Sequence, residues 1–116
     1  MPARENFSFD LGEHWPILLT CYEDQAQSQV MDLTGAQRLE LRLKRGATEV
    51  LVDLASGAQI QSPASAGVAF IVVTPAKQAG LAPASYAYTV RVTKADGVVS
   101  DQLCGVITVR QTEFGA

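Results

Sequence analysis

The stretch SYAYTVRVTKADGVVSDQLCGVITV (residues 85–109) decides the fold class. Apolar residues fall at Tyr86, Tyr88, Val90 and Val92, with Ser, Ala, Thr and Arg between them, and the alternation resumes after Asp96-Gly97 almost to the end of the chain. A period of two is the mark of a strand with one buried face. The Asp-Gly pair tolerates the positive φ angles of a type I′ hairpin turn. The spacing therefore predicts a two-strand ribbon.

The same period recurs upstream. AQRLELRLKR (36–45) sends Leu39, Leu41 and Leu43 to one face and Arg38, Glu40, Arg42 and Lys44 to the other. Its residues have good helix propensity, but leucines at i, i+2 and i+4 would wrap around a helix, so the stretch reads as a strand. FSFDL (7–11), EVLVDL (49–54) and AQIQ (58–61) are further short strands. WPILLTCYED (15–24) places Trp15, Ile17, Leu19 and Cys21 on one face, with Pro16 suited to a strand start or edge. GVAFIVVT (67–74) is apolar on both faces, as expected of a central strand covered on both sides. PAKQAGL (75–81) reads as a single helical turn.

Roughly seven or eight short strands with frequent turns predict an all-β fold, an immunoglobulin-like antiparallel β-sandwich. One domain over residues 1–116 is expected, with short flexible tails at 1–6 and 111–116. No linker, repeat or low-complexity tract interrupts it. The expected core is Trp15, Leu19, Leu39, Leu41, Leu43, Leu51, Phe70, Val72, Tyr86, Tyr88, Val90, Leu103 and Ile107. Each contributes roughly 1.5 to 3 kcal/mol if fully enclosed.

Apolar residues make up 47% of the chain and charged residues 18%, below the usual quarter. So neutral a surface predicts association. A formal charge of −3 and no basic patch longer than RLKR (42–45) argue against nucleic acid. No apolar run approaches the roughly 18 residues of a membrane span. No secretory signal is evident, so the expected setting is the cytosol or its lysate, and Cys21 and Cys104 are expected as free thiols. The alternation agrees, because it puts the two cysteines on different faces.

Catalytic candidates are sparse, and no catalytic, metal or cofactor residue is nominated. The single histidine, His14 in GEHW (12–15), reads as a loop residue. One histidine cannot supply a multi-histidine metal site, and two cysteines are too few for zinc within one subunit. Asp24, Asp32, Glu49, Asp53, Asp96 and Asp101 sit at strand ends and turns, where Asp bonds nearby backbone amides. In DLTGAQ (32–37), Asp32 starts a turn and Gly35 takes a positive φ. Trp15, Tyr22, Tyr86 and Tyr88 could stack on a sugar, although aromatics at strand period are ordinarily core. Tyr86 is placed to act as a tyrosine corner, tying its strand to the preceding LAPA (81–84).

Taken in order, the strand bearing Trp15, DLTGAQ, GVAFIVVTPAKQAGLAPASYAYTVRV (67–92) and ADGVVSDQLCGVITV (95–109) resemble small immunoglobulin-like proteins of phages and prophages. Over about residues 7–109 the chain is similar to the N-terminal domain of siphophage upper baseplate proteins. Ala84 stands where that family has Gly before the Tyr-x-Tyr, and the family's chains continue into further parts. The resemblance implies a non-enzymatic virion, tail or baseplate-like structural protein, found in the virion or in the host cytoplasm during assembly. Its implied partners are other phage structural proteins and further copies of itself. GLAPASYAYTVRV (80–92) also resembles a fibronectin type III strand, which implies the alternative of a recognition module for a carbohydrate or a protein.

Overall fold

The computed structural model describes residues 3–23 and 29–111. Among these residues nine strands follow one another: β1 (Ala3–Arg4), β2 (Phe7–Asp10), β3 (Trp15–Thr20), β4 (Arg38–Arg45), β5 (Thr48–Val52), β6 (Ala58–Ile60), β7 (Val68–Val73), β8 (Ala84–Thr93) and β9 (Val99–Arg110). They form two sheets. One has the order β1-β9-β8-β4-β5, with β2 also on β9, and the other has the order β3-β7-β6. The described residues contain no α-helix; Ala64–Ala66 and Pro75–Gln78 are 3-10 turns, the second within the segment read as helical.

Burial follows the period of two that the sequence carries. Leu39, Leu41 and Leu43 are buried and face Tyr86, Tyr88, Val90 and Val92 in the same layer, while Arg38 and Arg42 point to solvent. Trp15, Ile17 and Cys21 line the inner face of the opposite sheet. Tyr86 forms the expected corner: its hydroxyl accepts from the Ala82 N–H at 3.0 Å and donates to the Ala82 carbonyl at 2.9 Å.

Several expectations are corrected. β7 is central, yet its outer residues Val68, Phe70 and Val72 are only half-buried, and no third layer among the described residues covers them. The core takes Ala69, Ile71 and Val73 from this strand instead. A run that is apolar throughout does not tell which parity faces in. Leu19 and Leu51 are likewise half-buried. The sandwich is not wholly antiparallel, because β1 and β2 run parallel to β9. Strands so far apart in sequence need no tight turn between them and can pair in either sense. Residues 3–6, read as tail, are tied down: Glu5 N–H donates to the Cys104 carbonyl, and the Asn6 side chain accepts from Val106 N–H. Residues 112–116 of the other expected tail lie outside the described residues.

The β8–β9 connection is longer than a two-residue type I′ turn. Lys94 and Val98 close it, Gly97 N–H returns to the Lys94 carbonyl, and Gly97 has φ 89°. This is the three-residue loop in which a left-handed glycine follows a simple turn. The two-residue loop instead joins β4 to β5 at Gly46-Ala47, where Arg45 faces Thr48.

Candidate functional site

The titratable residues weighed in the sequence do not converge. His14 is exposed between β2 and β3. Asp32 accepts from Thr34 N–H at 2.9 Å, and hydrogen bonding by Thr34 holds its carboxyl below the usual range. Asp53 organises its own turn through Ala55 N–H and the Ser56 hydroxyl. Asp96 accepts from Val98 N–H, Glu49 pairs with Arg42, and Asp101 pairs with Arg91. Asp24 lies outside the described residues. Among the described residues no three His, Cys, Asp or Glu side chains gather as metal ligands, and no helix is long and apolar enough to cross a membrane.

The sugar-stacking platform does not form. Trp15, Tyr86 and Tyr88 are buried and only Tyr22 is partly exposed. The aromatics make a row inside the sandwich: Phe9 stacks on Trp15 with ring centres 5.5 Å apart, Phe7 on Phe9 at 5.7 Å, and Phe7 tilts against Tyr88 at 5.8 Å. The two thiols also stand on opposite faces. Cys21 is buried in the core, where desolvation pushes its pKa up to about 11, and Cys104 is half-buried on the outer face of the larger sheet.

Three surface features remain. On the outer face of the larger sheet, Glu40, Arg42, Thr89, Arg91 and Asp101 line a shallow groove. Both of its arginines are already paired: Arg91 Nε lies 2.6 Å from Asp101 and Arg42 Nε 3.2 Å from Glu49. Such exposed pairs contribute little stability, but they engage both arginines of the groove and leave Glu40 as the lining carboxylate outside these ion pairs.

At one end of the sandwich, the 21–37 connection meets the β8–β9 turn. Lys94 Nζ pairs with Glu23 at 2.9 Å, and Gln37 Nε2 donates to the Ala95 carbonyl. Val30, Val98 and Val99 stand exposed at this end. Gln102, at the register shift of β9, turns its amide onto the backbone of Tyr22, accepting from its N–H at 2.8 Å and donating to its carbonyl at 3.0 Å.

The third feature is the outer face of the smaller sheet. Pro16, Leu18 and Thr20 of β3 pair with Val72, Phe70 and Val68 of β7, and Gln59 of β6 lies beside Phe70. None is charged. Leu18 is 68% exposed, the most exposed large apolar side chain described. The signal was present in sequence, because placing Trp15, Ile17 and Leu19 inward forces Leu18 outward, where a half-buried strand ordinarily carries a polar residue. The glutamine contacts carried no such signal.

Compared with known protein families, the chain matches none, and it matches no characterised protein.

Proposed function

We propose that this chain is an immunoglobulin-like, non-enzymatic structural subunit of a phage or prophage particle, of tail or baseplate type, working through protein contacts. The observation that carries the docking role is the uncharged outer face of the β3-β7-β6 sheet, with Leu18, Phe70 and Val72 uncovered. Contiguous apolar surface of this kind marks interaction sites. The immunoglobulin-like reading is supported by strand order: in such sandwiches one sheet collects the second, fourth and fifth main strands and the other the third, sixth and seventh. Counting β2 as the first main strand and β5 as the extra strand of the variable type reproduces that division.

Peptide mass spectrometry on purified particles from an induced lysate tests the role. Stoichiometric recovery of this chain with intact particles is the expected result. Recovery only from the soluble fraction would overturn it.

The alternative of a recognition module draws on a different place, the loop end bearing Val30, Val98 and Val99. In variable-type sandwiches the corresponding loops contact ligand. A glycan array probed with the monomer separates the readings: specific binding lost in Val98→Asp with the fold intact favours recognition over architecture.

A further inference from the structure

Among the described residues the smaller sheet has one long edge, along β3, with no strand beside it. Cys21 N–H donates to the Gly67 carbonyl at 2.7 Å, and bonded and non-bonded pairs alternate along an antiparallel ladder. Counting back, Trp15, Ile17 and Leu19 spend their backbone groups on β7, while the N–H and C=O groups of Leu18 and Thr20, and the Pro16 carbonyl, point away from it. At the next outward position, Tyr22, the Gln102 amide takes both backbone groups, occupying the place of a partner strand. Among the described residues no strand pairs with that side of β3. The other edges are guarded in the usual ways. β6 is three residues long, the β1–β2 edge breaks at Glu5-Asn6, and β5 carries Glu49.

We propose that β3 pairs with β3 of a second copy of this chain, antiparallel about a two-fold axis at Leu18, joining two three-stranded sheets into one. In this register Leu18 faces its own counterpart and exchanges both backbone bonds with it. Thr20 N–H donates to the Pro16 carbonyl of the other copy, and the same bond recurs across the axis. Pro16 has no N–H to lose, so it leaves only the Thr20 carbonyl unmatched. Proline at that position thus limits how far pairing can spread along the strand without preventing it.

Charge identifies the occupant. Trp15 to Thr20 contain no charged side chain, and neither do the neighbouring outer positions Val68, Phe70 and Val72. A charged partner strand would be desolvated here with nothing to pair against. A second copy brings an equally neutral strand, and the two-fold sets Leu18 beside Leu18, extending the apolar face across both sheets. Isologous two-fold contacts are also the commonest kind in homo-oligomers. The pairing does not rest on a role in particles: it concerns the free protein, so a dimer in solution and absence from particles are separable results.

Light scattering coupled to size exclusion, on the full chain over a wide concentration range, tests it. The expected mass rises with concentration toward twice the 12.4 kDa of one chain. Leu18→Lys and Leu18→Glu are each expected to be monomers with unchanged circular dichroism, since like charges would meet across the axis. Mixing the two variants is expected to restore the dimer, because the register sets position 18 against itself. A wild-type mass fixed at one chain at every soluble concentration would overturn the proposal. So would a Leu18→Lys dimer as tight as wild type, or failure of the mixed variants to associate.

Discussion

Tyr86 closes a ring with its own chain, giving and receiving a hydrogen bond at Ala82 through one hydroxyl. Tyr86→Phe keeps the buried ring and removes both bonds. Because Ala82 is exposed and water can replace the hydroxyl there, the expected cost is about 1 kcal/mol, read as a lower urea midpoint with no change in cooperativity. Cys21 predicts a pH dependence. Its thiol titrates near 9.0 when unfolded and is pushed up to about 11 by burial, so above pH 9 the unfolded chain sheds a proton that the folded chain keeps. Stability is full below pH 9 and falls as pH rises toward 11, by about 2–3 kcal/mol in the limit. The Tyr88 phenol, raised chiefly by burial and also by Glu5 and Cys104, adds a loss of the same sign. Urea midpoints compared between about pH 8 and about pH 10.5 should drop less in Cys21→Ala than in wild type; an equal drop would assign the whole effect elsewhere.

At the scale of elements, the kink that carries the chain from β1 to β2 depends on a glycine in another strand. Gly105 has φ 153°, and a Cβ there would run into the Glu5 carbonyl and the Asn6 side chain. Only an empty position lets Glu5 approach closely enough for its N–H to donate to the Cys104 carbonyl and its carbonyl to accept from the Tyr88 hydroxyl at 2.7 Å. Gly105→Ala is therefore expected to release β1 while β8 and β9 stay paired. Hydrogen exchange should quicken at Glu5 and Val106 and stay slow at Tyr88, with about 1–3 kcal/mol lost overall. This contact also marks where sequence reading stops. The leucines of β4 declare their face because charges alternate with them, and DLTGAQ declares its turn because Asp32 bonds two residues on. Gly105 declares nothing, since its reason is a strand about a hundred residues earlier. The Asp96-Gly97 turn was legible as a turn but not in its length, which Lys94 and Val98 set by closing one residue further out than a two-residue loop requires.

Over the whole molecule, two sheets are held without a disulfide, by the aromatic row between them and by a glutamine at each end. Gln78 is buried, accepts from Gly12 N–H at 2.9 Å, and donates to the Glu13 and Val73 carbonyls. Gln102 does the equivalent for Tyr22. Neither role was legible, because an amide's partners come from elements that only the folded chain brings near. The candidate surface was legible only through parity: Leu18 had to face out, but its meaning depends on the edge of β3, which no strand among the described residues covers. The six residues of β3 separate the two glutamines by about 20 Å, and no partner is shared between them. Gln78→Leu and Gln102→Leu should each cost about 1–3 kcal/mol, since each strands backbone groups that water reaches poorly. Combined, their effects should add to within about 0.5 kcal/mol. A coupling well above that in denaturant unfolding would mean that loosening one end lets the sheets shift at the other. The aromatic row would then be too weak to hold them independently. Additive costs would instead make the Phe7-Phe9-Trp15 stack a rigid hinge between two separately fastened ends.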